Sequence, residues 1–199
     1  MAQKTVPIYL CKMGTDINGN AFPTYKVEDE FGFVTQDEPT ILSAKVKNVE
    51  SNDFYDEDGE QEWAARRLRL QAYTMSITFI SQGSKYELHK RIEKFRNYLC
   101  GIEGTGTMLM LYEDWYKTGY KDVRLSELTD NLKYKQISED YFVISFNVKF
   151  KVNDPLTKVE LNSDGCLQSE DLTKGLVING EELVTADNVR VEATSLIIL

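Results

Sequence analysis

The chain has 199 residues, 42% of them apolar and 11% aromatic, which suits one well-buried domain with an annex and excludes wholesale disorder. Its formal net charge is −9, with a pI near 4.8. That balance argues against nucleic acid as a tightly held ligand, because such affinity comes from neutralising phosphates.

Cys11, Cys100 and Cys166 are odd in number and far apart, with no C-x-x-C pair, and read as reduced thiols of a protein made in a cytosol. Met1 to Leu10 lacks a charged-then-apolar leader pattern. No apolar run approaches the ~20 residues that span a bilayer. The expectation is a protein soluble where it is made, without membrane insertion.

Val6 to Leu10 reads as a short first strand, with Pro7 confining it to an edge or a strand start. Gly14 to Asn20 is a turn region in which Asn18-Gly19 signals a hairpin. Asp16, Asn18 and Asn20 do not make a calcium loop. With Gly19 at the loop's glycine position, the first and twelfth ligands would be Gly14 and Tyr25, and neither has a carboxylate. Ile41 to Val49 is strand-like, but its apolar residues do not keep one parity, so a bulge or an early end is expected. Asn52 to Glu62 holds Asp53, Asp56, Glu57, Asp58, Glu60 and Glu62. Like charges this close repel and stay solvated, so the segment reads as a mobile surface loop, or as an acidic rim facing a partner or a pore.

From Ala64 to Ser81, Leu68, Leu70 and Ala72 alternate with polar residues, and then the parity flips to Tyr73, Met75, Ile77 and Phe79. One slip in a period-two pattern swaps the buried face, which predicts a long strand kinked near Ala72. Ser84 to Gly101 is the only convincing helix. Ser84 and Glu87 form a capping box, Leu88, Ile92, Phe95 and Leu99 make one apolar stripe, and Gly101 stands where a left-handed cap is wanted. Met108 to Tyr112 reads as a central strand covered on both faces. Asp114 to Lys117 is a polar tip carrying Trp115. Between Val123 and Lys135, Leu125, Leu128 and Leu132 sit at helical spacing, so a short helix competes with a strand. From Tyr141 to Val152, Phe142, Ile144, Phe146, Val148, Phe150 and Val152 all point one way, which only a strand with one face on a core explains. Beyond Asn153-Asp154-Pro155, short β-like pieces separated by Asp164-Gly165, Asn179-Gly180 and Asp187-Asn188 predict a small meander.

Chemistry is sparse. His89 is the only histidine, so no cysteine/histidine zinc set can be built. A serine or cysteine nucleophile would have to use His89 as its base, and no G-x-S-x-G elbow is present. No phosphate-cradling glycine motif opens a helix. The reading is a protein that is not an enzyme and has no cofactor and no metal.

The order of long strand, capped helix, apolar strand and a strand ending in aspartate-proline resembles the tail-tube fold of phage tail proteins, most of all the distal tail protein of long-tailed (siphovirus-type) phages. The stretches that carry it are "RRLRLQAYTMSITF" (Arg66 to Phe79), "YELHKRIEKFRNYL" (Tyr86 to Leu99) and "FVISFNVKFKVNDP" (Phe142 to Pro155). The acidic "DFYDEDGEQEW" before the first of them also has a counterpart in that family. The resemblance covers roughly Ile41 to Pro155. It implies a mainly β (α+β) fold, a tail-tube-like β-sandwich or barrel with one packed α-helix, followed here by the small C-terminal meander. It also implies a hexameric ring at the tail tip or along the tube, contacts with other tail proteins (tube, hub, tip), DNA only as transient cargo in the pore, and a place in the virion tail.

On this reading residues 1–155 form the tail-tube-like domain, with its helix at 84–100, and 156–199 form a β annex too small for the carbohydrate-binding module that some distal tail proteins carry. A small host-glycan-binding tail module is the alternative, through Trp63, Trp115, Tyr116 and Tyr120. A tube subunit of a phage-like contractile injection system is a further one. The candidate interaction residues are Asp53, Asp56 and Asp58 of the acidic segment, Trp63 and Trp115, and Leu196, Ile197 and Ile198 of the apolar terminal run. Burying each side chain of that run would gain ~1.5–3 kcal/mol, so the run is expected to dock in a groove of its own domain or of a neighbouring subunit.

Overall fold

The computed structural model describes residues 5–16, 18–35, 44–48, 51–53, 60–62, 69–102, 104–128, 133–169, 176–179 and 182–185. In chain order the elements are β1 (Ile8–Lys12), β2 (Thr24–Lys26), α1 (Val27–Phe31), β3 (Val34–Thr35), β4 (Ser51–Asp53), β5 (Glu60–Glu62), β6 (Tyr73–Gly83) and α2 (Lys85–Cys100). Then follow β7 (Leu109–Glu113), β8 (Thr118–Leu128), β9 (Lys133–Ser138), β10 (Tyr141–Asp154), β11 (Val159–Leu161), β12 (Leu167–Ser169), β13 (Leu176–Asn179) and β14 (Glu182–Thr185).

The chain is mainly β, and its principal sheet is antiparallel, ordered β2-β1-β7-β8-β10-β6-β3, with β9 on β10. The sheet curls until its ends meet. Val6, just before β1, bridges Thr35 of β3, and the Val6 N–H donates to the Thr35 carbonyl at 2.8 Å. Following β1, β7, β8, β10, β6 and β3 therefore returns to β1 and closes a barrel, which removes edges that would otherwise stay unpaired. The spine is β6 on β10, running from Tyr73 opposite Val152 to Gly83 opposite Phe142. Met75, Ile77 and Phe79 of β6 and Ile144, Phe146, Val148, Phe150 and Val152 of β10 are all buried in one core. The alternation read from the sequence is the inward face of both strands.

Two bulges let β8 follow the curve. Leu109 pairs with Val123 and Leu111 with Tyr120, so Lys121 and Asp122 together oppose Met110, and Asp122 takes φ 52°. Farther along, Phe150 pairs with Leu125 and Lys149 with Glu127, leaving Ser126 as the extra residue. That extra residue turns both Leu125 and Leu128 toward the core. Their spacing of three, which mimics a helix, belongs to a bulged strand, so the described part of this segment is β; Leu132 lies outside the described residues.

Helix α2 is built as its sequence dictates. The Glu87 N–H donates to Ser84 Oγ at 3.4 Å, and the Ser84 N–H donates to Glu87 Oε2 at 3.2 Å. At the other end Gly101 adopts φ 67°, and a side chain there would overlap the Gly106 carbonyl, so both conformation and space demand glycine. Leu88, Phe95 and Leu99 are buried, and Ile92 is half-buried. Replacing Ser84 with Ala should cost ~1 kcal/mol through the lost cap, read from denaturant midpoints. The cap also makes a pH prediction. Its backbone and side-chain hydrogen bonds hold the Glu87 carboxyl below its ordinary value. That stabilisation is present above the unfolded carboxyl's pKa and is lost as pH falls through the folded one.

The sequence points to one helix, and the described residues form two. Helix α1 is five residues long, too short to show a period, and its signal is only Val27 and Phe31 four apart, both buried, followed by Gly32 at φ 70°. Two other expectations are corrected. Of the long strand predicted from Ala64, residues 64–68 lie outside the described residues; Leu70 forms an isolated bridge with Val46, 71–72 lie outside any strand, and the continuous strand begins at Tyr73. The acidic segment, expected to be a loop, contains a hairpin that pairs Ser51 with Glu62 and Asp53 with Glu60.

A second, smaller core lies outside the barrel. The β11–β12 hairpin lays Val159 and Leu167 on Cys11 and Tyr112, the outward residues of β1 and β7, with Tyr9, Phe22 and Met110 around them. The Leu167 N–H donates to Thr24 Oγ1 at 3.0 Å, fixing the hairpin to β2. Strand β7 is thus covered on both faces, as its solid apolar run predicts. A further hairpin pairs β13 with β14.

Candidate functional site

Three places on the surface or beneath it carry chemistry beyond packing. The first is the β7–β8 turn. Glu113 ends β7 facing inward and is 1% exposed. Its carboxylate is satisfied by accepting the Trp115 N–H at 2.6 Å and the Tyr116 N–H at 2.9 Å, charge-assisted bonds that fold the turn tightly. Lys117 takes φ 55°, and its Nζ reaches Asp114 Oδ1 at 2.6 Å. The outcome is a pinned tip that shows two aromatic rings to solvent. Trp115 is 43% exposed and Tyr116 46%, with stacked rings 6.3 Å apart and 20° from parallel.

The second is the outer face of β6, β8, β9 and β10. Thr74, Ser76 and Thr78 stand opposite Lys151, Lys149 and Asn147, and Ser76 Oγ donates to Asn147 Oδ1 at 2.7 Å. Arg124 stands opposite Lys151, and Lys149 pairs with Glu127 at 2.7 Å. Beyond β8, Lys133 and Lys135 of β9 line up with Ser145 and Val143. In a chain of net charge −9 this described face is polar and cationic. Its charges lie on three strands that only pairing brings side by side, so composition alone hides it.

The third is internal. Lys12 is 2% exposed, its Nζ donates to the Gly106 carbonyl at 2.6 Å, and it lies 4.6 Å from the centre of the Tyr98 ring. Burial pushes its ammonium down to about 8 from 10.5, and pushes the Tyr98 phenol up. Below pH 8 both the folded and unfolded chains carry the proton, and the folded one bears the cost of burying it. Between about 8 and 10.5 the native state binds fewer protons, so this group's contribution to stability rises with pH. The stability difference between wild type and Lys12→Met should be flat below pH 8 and move in favour of wild type above it. Sequence reasoning missed Lys12 because a lysine at a strand end carries no burial signal.

His89 is exposed on α2, and among the described residues no group of three or more His, Cys, Asp or Glu could hold a metal ion. Cys11 is buried, and Cys100 and Cys166 are exposed, all as free thiols. A cleft of about 420 Å³ beside β3 is lined by Glu28, Gln82, Arg91 and Tyr141 among others. Its Arg91 is engaged by the fold, donating to Ser81 Oγ and to the Gln82 carbonyl, each at 3.1 Å. Of the residues nominated from sequence, the structure places Trp115 at the tip and Asp53 in β4. Asp56, Asp58, Trp63, Leu196, Ile197 and Ile198 lie outside the described residues.

No protein-family model matches the chain, and no curated protein matches it. Among solved structures, one that it is similar to is the SPP1 Dit protein, described as a paradigm of the hub adsorption apparatus in phages infecting Gram-positive bacteria, at a TM-score of 0.48 and 17% identity. The alignment takes in 77% of this chain and 52% of that one, so the chain spans about half the length of the protein it matches.

Proposed function

We propose that the chain is a structural subunit of a phage tail, of the distal-tail or tail-tube type, assembling into a ring whose channel passes the genome. The observation that carries this reading is the arm formed by β9 and the start of β10. Strand β9 follows β8 along the same edge of β10, and all of its residues are exposed. Its other edge pairs with no strand among the described residues. A strand exposed on both faces gains little from burial in its own subunit, and an open edge is a template for a neighbour. A closed ring supplies that neighbour to every copy. Tyr134 at 48% exposure, Ile137 at 60% and Tyr141 at 39% give the arm apolar contact area. The ring is hexameric in the family that the sequence resembles, and other tail proteins meet it through loops such as the Trp115 tip. DNA passes as cargo, and the protein's work requires no catalytic group. Native mass spectrometry with negative-stain micrographs tests the reading. Closed rings of one stoichiometry are expected. A strict monomer at every concentration that forms no rings with or without other tail proteins overturns it.

The exposed Trp115–Tyr116 pair favours a second reading, a small module that stacks host glycan on its rings. Glycan-array binding lost in Trp115→Ala would support it, and an array without hits would remove it.

A further inference from the structure

We infer that the outer strip of β8, β9 and β10 is one half of a head-to-tail contact between copies of this chain, its occupant being the carboxylate-rich remainder of a second copy. This rests on the ring reading and assigns the face through which the ring is made.

The strip runs along β10 from Lys151 to Val143 and gathers Arg124, Lys133, Lys135, Lys149 and Lys151, with Glu127 as its one carboxylate among the described residues. Asp122 bounds it at one end and the Glu139–Asp140 turn at the other. Lys149 is neutralised by Glu127 at 2.7 Å. Arg124 and Lys151 have no carboxylate partner among the described residues, and the Arg124 guanidinium reaches only the Leu125 carbonyl, at 3.4 Å. These two stand directly across from one another in register. Like charges directly opposed destabilise an antiparallel pair. The subunit therefore tolerates a local repulsion that an anionic partner would relieve.

The chain holds 23 basic and 32 acidic residues. Setting aside the strip's five cations and one carboxylate leaves 18 basic against 31 acidic, a balance of −13 for everything else. A second copy thus carries an excess of carboxylates with which to meet the strip. In a ring the strip of each copy meets a different, carboxylate-bearing patch of the next, a heterologous contact that generates a ring when it closes. Duplex DNA would also neutralise the strip, but its phosphates would meet the anionic remainder of the same subunit.

The test is Lys151→Glu in the full chain, read by thermal melting and by sedimentation velocity over a concentration series. The substitution turns the opposed like charges into an ion pair with Arg124, so the melting temperature should equal or exceed that of wild type. Self-association should weaken at least ~10-fold, because a cation facing carboxylates becomes a carboxylate. Lys133→Glu with Lys135→Glu, on the fully exposed β9, should weaken association in the same direction without touching the barrel. Association unchanged in both variants overturns the inference while leaving rings, and hence the ring reading, intact. A wild-type chain that is monomeric throughout overturns the inference and removes the ring in solution as well. Retention of duplex DNA by wild type that Lys151→Glu abolishes would assign the strip to nucleic acid and overturn it too.

Discussion

Phe95→Ala should destabilise the chain by ~3–5 kcal/mol, a large share of the margin that holds a domain of this size folded. Phe95 is fully buried, and it is where four parts of the chain meet. Its ring centre lies 4.9 Å from that of Phe31 at the end of α1, and 5.4 Å from both Phe33, just before β3, and Phe79 of β6. Phe33 in turn stands 5.0 Å from Phe146 of β10. Removing the ring forfeits its transfer free energy and opens a cavity that stiff neighbouring rings cannot fill by small shifts. The tilted and edge-to-face contacts add ~0.5–1.5 kcal/mol per pair. Denaturant unfolding measures the cost. A loss below about 1 kcal/mol would mean that α2 does not anchor this core.

Gly119→Ala should strip the β11–β12 hairpin from the barrel. A methyl group at Gly119 would overlap the carbonyl oxygen of Val159 and come within 2.6 Å of its Cβ. The obstacle is backbone, so no rotamer change relieves it and the hairpin itself must move. Overpacking of this kind costs ~1–3 kcal/mol. The readout is thiol labelling. Cys100 and Cys166 are exposed and should react quickly in wild type, whereas Cys11 lies buried under Val159 and Leu167, with its thiol pushed up by that burial. The variant should show three fast thiols where wild type shows two. Two fast thiols in the variant would mean that the hairpin had accommodated the methyl group.

The parts of this fold that were legible in the sequence are those where one element carries its own signal. Strand β10 alternates without a fault, and α2 states its start at Ser84, its stripe and its stop at Gly101. The rest depends on register between distant segments. Phe33 lies outside any regular element, and its place in the core follows from β3 reaching β6. Leu125 and Leu128 misled because a bulge at Ser126 imitates helical spacing. Helix α1 is shorter than the period that would announce it. The candidate surfaces divide in the same way. Trp115 was legible as the aromatic of a polar tip, although the buried Glu113 that pins it was not. The cationic strip exists only because β8 and β10 pair with Arg124 opposite Lys151.

Whether this chain is built into a tail is tested most directly by electron micrographs of phage particles labelled with an antibody against it. The account predicts label on the tail, at its tip if the chain is a distal tail subunit and along its length if it is a tube subunit. Particles that bind no label anywhere on the tail, and that when denatured contain none of the chain, would contradict it.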